Sequence, residues 1–339
     1  MKAKLISQAD HERVPLHQAI PLITPFVVYI EPSGYCNLKC EFCPHGSQSG
    51  RDGLKMDIMP LELGKKLIDD IAVFPDKIKL LRVCGTGEPL TNKNIVELLE
   101  YANKMEIAEK IEMVTNGIKL TPELSRQLPR FANRIIISIE GLSSEEYKRV
   151  TRINVNLEKL IDNLKIIYNH RGTCTLAIKT VGHVTQSESK QKKFFDMFGN
   201  ICDEIYIEQL VPMWPDLDSE YELKSRWGDD QVINKRVCPQ IFKGLQVQAD
   251  GEVVPCCVDW KRVNVIGNIT TESFKDVWNG TQLSEFRKAH LKGEKDKIDP
   301  CKDCTMNDSC EYDDIDPYIE ECMKQLGILD EVTDVKDIL

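Results

Sequence analysis

Three cysteines, Cys36, Cys40 and Cys43, fall within one short run, Gly34-Tyr-Cys-Asn-Leu-Lys-Cys-Glu-Phe-Cys-Pro-His-Gly46. Three thiolates at the spacing Cys-x3-Cys-x2-Cys can hold three corners of a cubic iron–sulfur cluster, which ordinarily takes four cysteines. No fourth cysteine follows closely; the next, Cys84, lies far downstream beside Gly85-Thr86-Gly87-Glu88-Pro89. A cluster one ligand short has an open iron, and an open iron can do chemistry. Two plainer readings compete. Zinc would want four Cys or His ligands, and His45 offers a fourth. Three buried thiols can also serve simply as small apolar side chains.

The rest of the chain must position that loop. At 339 residues it suits two domains, or one barrel with an appendage, and 42% hydrophobic content is enough for a core. The first 20 residues carry Asp10, His11, Glu12 and Arg13 and lack the apolar stretch of a signal peptide. No run approaches the roughly 18 apolar residues of a membrane span. A cytoplasmic protein is therefore expected, with no membrane partner. Thirteen cysteines in a reducing compartment point to metal binding rather than disulfides. The formal net charge of -10 and scattered Lys and Arg disfavour a nucleic-acid partner.

Six strand–helix units are expected between Phe26 and about Leu210. The strands are Phe26–Glu31, Lys79–Val83, Ile111–Thr115, Ile135–Ile139, Thr175–Thr180 and Glu204–Leu210. They are short and mostly rich in Ile, Val and Leu, as buried parallel strands are. Between them, Leu61–Val73 and Asn156–Tyr168 repeat apolar residues along one helical stripe. Thr121-Pro122-Glu123 reads as an N-cap with proline at the first helical position, and Ser143-x-x-Glu146 as a capping box. The alternation gives an α/β fold, and six units instead of eight suggest an incomplete (β/α)6 barrel. Chemistry in such barrels sits on loops leaving the C-terminal ends of strands, where the cysteine loop lies.

These features together resemble the radical S-adenosylmethionine (radical SAM) superfamily. The resemblance implies that Cys36, Cys40 and Cys43 bind a [4Fe-4S] cluster whose fourth iron takes the amino and carboxylate groups of S-adenosyl-L-methionine. Phe42 matches the aromatic usual in that loop. Gly85-Thr86-Gly87-Glu88 resembles the family's Gly-Gly-Glu motif, whose backbone receives the methionine amine; Thr86 stands where a glycine is usual. Bare backbone at glycine allows such close approach. Asn116 ends the third strand. Ser138-Ile-Glu140-Gly looks like the Ser-x-Asp-Gly stretch beside the cofactor's ribose and carboxylate, with Glu140 replacing Asp. Arg152 falls at the interval of the family arginine that pairs with the cofactor carboxylate, which a guanidinium fork fits bidentately. Taken singly, Ser138 or Arg152 is as readily a helix-cap or surface residue.

Beyond Trp214 the α/β rhythm stops. We divide the chain into an arm (1–24), a partial barrel (25–213), a linker or substrate loop (214–237), an auxiliary domain (238–322) and a tail (323–339). The auxiliary domain contains Cys238-Pro-Gln, a hairpin with Asp250-Gly251 between Leu245–Ala249 and Glu252–Cys256, and a helix from about Ser273 to Leu291. Cys301-x2-Cys304, Cys310 and Cys322 close it. This stretch resembles the SPASM auxiliary-cluster domain and its shortened twitch form, implying an auxiliary [4Fe-4S] cluster. Two ligand sets compete. Cys238, Cys256, Cys301 and Cys304 give the hairpin cysteines a purpose and are preferred; Cys301, Cys304, Cys310 and Cys322 form the alternative. Asp314 stands where the full domain has a further cysteine. Four cysteines also suit structural zinc. Cys257 is expected to face away from Cys256 if the strand continues, making it a candidate hydrogen donor or a buried thiol. Cys84, Cys174 and Cys202 are read as core.

The mechanism implied is reductive cleavage of S-adenosylmethionine, fed by a donor such as flavodoxin or ferredoxin. The 5′-deoxyadenosyl radical so formed takes a hydrogen atom from a substrate carbon. A single auxiliary cluster, and only about 25 residues before the barrel, look more like enzymes that oxidise or epimerise sugars and aminocyclitols. Radical modification of a peptide or protein is the alternative. An iron–sulfur electron carrier or scaffold is a remote third, disfavoured because a carrier has no use for an open iron.

Overall fold

The computed structural model describes residues 1–6, 14–212, 214, 225–226, 234–310 and 313–328, with the side chains of Gln48, Ser49 and Cys310 outside that description. Ten strands form one sheet: β1 (Lys4–Leu5), β2 (Val27–Ile30), β3 (Ile78–Val83), β4 (Ala108–Thr115), β5 (Arg134–Ile139), β6 (Thr175–Val181), β7 (Glu204–Glu208), β8 (Gly244–Val247), β9 (Glu252–Val254) and β10 (Gly267–Asn268). Their order is β1-β7-β6-β5-β4-β3-β2-β8-β9-β10. Every pair from β1 to β8 is parallel, and the last two pairs are antiparallel. The six expected barrel strands are β2 to β7, and β1 does not return to pair with β2, so the barrel is open.

Strand alternation divides the side chains into two populations. Val28, Ile30, Leu81, Val83, Ile111, Met113, Ile135, Ile137, Leu176, Ile178 and Ile205 point to the helices and form the main core. Against them pack Leu67, Ile68 and Ile71 of helix Leu61–Ala72, and Leu160, Leu164 and Ile167 of helix Leu157–His170. Thr121 caps its helix from Leu124 N–H with Pro122 at the first position, and Ser143 accepts from Glu146 N–H. Glu146 turns its carboxylate to Leu142 N–H, completing the cap one residue away from the box geometry.

Within the N-terminal arm, Lys4–Leu5 adds a parallel strand beside β7. The auxiliary hairpin extends the barrel sheet, because β8 pairs parallel with β2, matching Val28 to Leu245. Two expectations need correction. The helix from Ser273 to Leu291 is two helices, Phe274–Trp278 and Thr281–Leu291, broken at Asn279-Gly280, where glycine favours a stop. Finally β9 ends at Val254, before Pro255, which has no N–H for the ladder. Cys256 and Cys257 therefore lie in a turn, not on a continuing strand. Asp250-Gly251 does turn the hairpin, with Gly251 at φ 91° and its N–H donated to Gln248. Most of the linker, 215–224 and 227–233, and the tail from 329 lie outside the described residues. Among the described residues no helix is long and apolar enough to cross a membrane.

Candidate active site and auxiliary-cluster site

The cysteine loop leaves β2 and folds back on itself through short hydrogen bonds, Cys43 N–H to Cys40 O at 3.0 Å and Gly46 N–H to Cys43 O at 2.8 Å. A side chain at position 46 would meet Cys40 O at 1.9 Å, so only glycine allows this closure. The end of helix Ser144–Thr151 grips the loop from outside: Lys39 N–H and Glu41 N–H donate to its last carbonyls, Thr151 O and Val150 O, each at 3.0 Å. Arg152, at φ 60° just past that helix, donates to Gly46 O at 2.6 Å. The residue expected to meet a cofactor carboxylate thus also pins the loop. Phe42 is half-buried beside Cys43.

The loops after β3, β4 and β5 close around the cysteines. Glu88 is buried and accepts from Leu90 N–H at 2.9 Å, Asn116 N–H at 2.8 Å and the Thr115 hydroxyl. Both its oxygens therefore brace the ends of β3 and β4. Asn116 passes the brace on, donating to Asn37 Oδ1 at 3.0 Å with Cys36 Sγ at 3.9 Å. Gly87 lies so close to the cysteine loop that a Cβ would sit 2.1 Å from Ser33 O. Ser138 is half-buried on β5, in register with Lys179 of β6. Glu140 is buried, and its Oε2 has no partner among the described residues. Burial pushes its carboxyl up to about 7, with Lys179 offsetting only part and Glu208 adding to the rise.

Burial, with Glu88, Cys43 and Glu140 contributing, pushes the Cys36 thiol up to about 12, and burial pushes Cys43 up to about 11. Three such thiols stay protonated by themselves; bound iron would supply the positive charge that makes them thiolates. Together with the loop closure and the partnerless Glu140 oxygen, this donor set fits a cluster with one open position.

Between β3 and β7 the inner face of the barrel carries charge where closed barrels carry branched apolar layers. Arg82 pairs with Glu112 at 3.2 Å, Glu112 with Arg134 at 2.7 Å, and Arg134 with Glu204 at 2.7 Å, one ladder drawn from β3, β4, β5 and β7. Beside it Glu208 takes Lys179 at 2.7 Å and Arg226 at 2.8 Å. Burial alone would raise the Glu208 carboxyl, but Arg226 and Lys179 outweigh it and hold it down at about 2.

Cys238, Cys256, Cys301 and Cys304 line one hollow, with Pro255, Asp259, Phe286, His290, Lys295 and Asn307 completing much of its wall. They arrive from three separate segments: before helix Gln240–Lys243, in the turn after β9, and in the loop beyond helix Thr281–Leu291. Among the described residues no three His, Cys, Asp or Glu side chains converge tightly enough to hold a single ion. The thiols instead line a space, and among the described residues His290 Nε2 and Asn307 Oδ1 on its wall are buried without hydrogen-bond partners. Both features fit a group larger than one ion. Cys322 is elsewhere, buried in an apolar cluster with Leu16, Ile241, Leu291 and Met323. The Cys310 side chain lies outside the described residues. Cys257 is not on the wall of the hollow; a hydrogen bond with Cys256, together with Arg226 and Arg82, holds its thiol below the usual range against burial. Cys84 also feels Arg82 and Cys257, so it belongs to this inner face, while Cys174 and Cys202 are core.

Sequence reasoning did not single out Glu31, Arg82, Arg262 or His290. For Glu31 a signal existed: an acid at the C-terminal end of the first barrel strand, where site residues gather.

Two family models match the chain, the radical SAM superfamily over residues 30–195 and the SPASM iron–sulfur cluster-binding domain over 238–305. In sequence the chain is 24% identical over 328 residues to the tungsten-containing aldehyde ferredoxin oxidoreductase cofactor-modifying protein of Pyrococcus furiosus, covering 84% of this chain and 88% of that one. In structure it is similar to BtrN in complex with AdoMet and 2-DOIA, with 18% identity, 82% and 92% of the two chains covered and a TM-score of 0.53. It is also similar to Streptococcus suis SuiB bound to precursor peptide SuiA, with 17% identity, 87% and 73% covered and a TM-score of 0.65. Likeness at this distance concerns the fold. The loop of three cysteines, the strand-end loops around it and the two matched domains lead to one conclusion: the chain belongs to the radical SAM superfamily, with a [4Fe-4S] cluster and S-adenosyl-L-methionine in its barrel and auxiliary iron–sulfur in a C-terminal SPASM domain.

Proposed function

We propose that the protein oxidises a small polyhydroxylated molecule, a sugar or aminocyclitol, at a carbon bearing a hydroxyl group. The observation that carries this reading is the charged inner face of the barrel. Arg82, Lys179 and Glu208, toward the C-terminal ends of their strands, with Glu112 beside Arg82, provide donors and acceptors, which suit a substrate rich in hydroxyl groups and repel an apolar one. The cofactors, reduced by a flavodoxin- or ferredoxin-like donor, supply the hydrogen-abstracting radical. The chain's own residues orient and exclude. Gly85 and Gly87 let the turn pack tightly on Glu31 and the cysteine loop, and that turn, with Thr86 between them, would receive the methionine amine. Ser138, Glu140 and Arg152 stand where the ribose and carboxylate would be held. Asn116 and Glu88 fix Cys36 and the strand ends. Cys238, Cys256, Cys301 and Cys304 would hold the auxiliary cluster. Net oxidation requires one hydrogen atom to leave the substrate carbon, then one electron and the hydroxyl proton, giving a ketone. Cys238, Cys256, Cys301 and Cys304 would hold the group that accepts that electron.

A second reading, radical modification of a peptide, is favoured by the higher TM-score to SuiB than to BtrN, 0.65 against 0.53. One experiment separates them. Reduced, anaerobic enzyme with S-adenosylmethionine is offered a panel of sugars and aminocyclitols, and in parallel a peptide library. Polyol-stimulated release of 5′-deoxyadenosine with a ketone two mass units lighter is expected; stimulation by peptides alone overturns the proposal.

A further inference from the structure

Glu31 is the last residue before the cysteine loop turns away from β2, and it is 1% exposed. Its Oε2 accepts both the backbone N–H and the hydroxyl of Thr86, each at 2.7 Å. It also packs on Gly85 so closely that a Cβ there would lie 2.3 Å from Oε2. Thr86 is the departure from the family's glycine, and its hydroxyl is what engages Glu31. Burial raises the Glu31 carboxyl, and the Thr86 bonds and Arg262 offset only part of that rise.

The other oxygen of Glu31 faces the auxiliary domain. Arg262, in the turn that also carries Cys256 and Cys257, places NH2 3.6 Å from Glu31 Oε1. The same guanidinium pairs with Asp250 at 2.6 Å and Glu252 at 3.3 Å, both also held by Lys55 from the segment after the cysteine loop. Arg262 sits at φ 58°, a left-handed conformation uncommon for residues other than glycine. Trp260 of that turn packs at Gly53, where a Cβ would meet its ring at 3.0 Å.

We infer that Arg262, Glu31 and Thr86 form a strut through which the auxiliary domain sets the conformation of the Gly85–Glu88 turn. Arg262 is then a positioning residue for S-adenosylmethionine, acting through Glu31 and never touching the ligand. Thr86 is the fitting that makes the turn responsive: with glycine there, Glu31 would lose the hydroxyl bond and keep only backbone bonds to the turn. Seating of the turn that bears Cys256 thereby couples to affinity for the cofactor in the barrel. This rests on reading Gly85–Glu88 as the amine-binding turn, but the first measurement does not depend on it.

That measurement is amide hydrogen exchange across residues 84–90 in reconstituted protein without S-adenosylmethionine, for parent, Arg262→Gln, Arg262→Lys and Glu31→Gln. Exchange should rise about tenfold in Arg262→Gln and Glu31→Gln and return most of the way in Arg262→Lys, while helix Leu157–His170 stays protected. The second measurement is the dissociation constant for S-adenosylmethionine. Arg262→Gln should weaken it about tenfold in the parent and less than about twofold in a Thr86→Gly background, the non-additivity expected of residues acting through one another. Iron content, unchanged in Glu31→Gln, separates the strut from loss of the auxiliary group. Parent-like exchange in both Arg262→Gln and Glu31→Gln overturns the strut. Faster exchange with unchanged affinity leaves the strut and overturns the amine-binding reading of the turn. Equal loss of affinity in the parent and in the Thr86→Gly background overturns the route through Thr86.

Discussion

The two cysteine constellations solve different problems. In the barrel, Cys36, Cys40 and Cys43 come from one loop whose geometry is nearly local, closed by Gly46 and held by the end of helix Ser144–Thr151. In the auxiliary domain, Cys238, Cys256, Cys301 and Cys304 come from segments up to 66 residues apart and line one hollow, beside a hairpin whose β8 is anchored on the barrel sheet. The first set offers three thiols, one fewer than a cubic cluster ordinarily takes, near a buried Glu140 Oε2 that has no partner among the described residues; the second offers four thiols on the wall of one hollow. An open position suits catalysis, and a closed set suits a structural or electron-transfer role, as with open and closed metal sites generally.

Removing the local set should have the largest effect. Cys36→Ala/Cys40→Ala/Cys43→Ala should abolish cleavage of S-adenosylmethionine, a loss of at least about 10³-fold, and about half of the bound iron and sulfide, since each cubic cluster carries four irons. Iron analysis and 5′-deoxyadenosine release check both. Full retention of iron would break the comparison, because the loop would then be no ligand set.

The non-local set gives the next test. Cys238→Ala or Cys256→Ala should remove the second cluster while the first still cleaves S-adenosylmethionine. Cys322→Ala should keep all iron and cost roughly 1 kcal/mol in a denaturant melt, the usual scale for trimming a small buried side chain. Loss of the second cluster in Cys322→Ala would transfer the ligand role to the other set.

How much was legible follows the same division. The cysteine loop, the Gly85–Glu88 turn and the order of strands could be read because each depends on residues near one another in sequence. β2 through β7 match the expected strands to within a few residues. The ladder from Arg82 to Glu204 could not be read, because an arginine between Leu81 and Val83, or ahead of Ile135-Ile136-Ile137, does not say which charge it meets. Which charges meet depends on registers such as Arg82 opposite Glu112 and Glu112 opposite Arg134. The parallel pairing of β8 with β2 escaped for a related reason: the strong Asp250-Gly251 turn explains the hairpin completely and leaves no trace of what its first strand pairs with on the other side. Arg262 was hidden furthest, an ordinary surface-type residue in a turn until Glu31 is brought beside it.

A smaller effect distinguishes the buried acids of the two regions. The Glu140 carboxyl is raised to about 7 from an ordinary 4.5. Between those values the folded state binds more protons than the unfolded state, so its contribution to stability is greatest below about 4.5 and is lost as pH rises through 7. That difference corresponds to a change of roughly 3 kcal/mol at most. Glu140→Gln, which cannot ionise, should lack that decline. Melting curves of parent and variant from pH 5.5 to 8 should converge at the low end and separate at the high end, with the variant the more stable. Parallel curves would mean that Glu140 ionises normally and is not desolvated.

The smallest expected effect belongs to Cys257. An epimerase needs a hydrogen donor on the far face of the substrate, and this thiol, beside a proposed cluster ligand yet off the wall of the hollow, is the candidate. An oxidase needs no such donor, because its substrate radical loses an electron. Under the proposed oxidation, Cys257→Ser should turn over within about twofold of the parent, the small change usual for a substitution outside the reacting groups. Neither enzyme should place deuterium on carbon when the reaction runs in deuterated water. Deuterium at the reacting carbon in the parent, lost in Cys257→Ser together with turnover, would make the thiol the donor. The auxiliary domain would then return a hydrogen atom to the substrate, and the contrast between an open catalytic site and a closed electron-accepting one would have to be redrawn with catalysis on both sides.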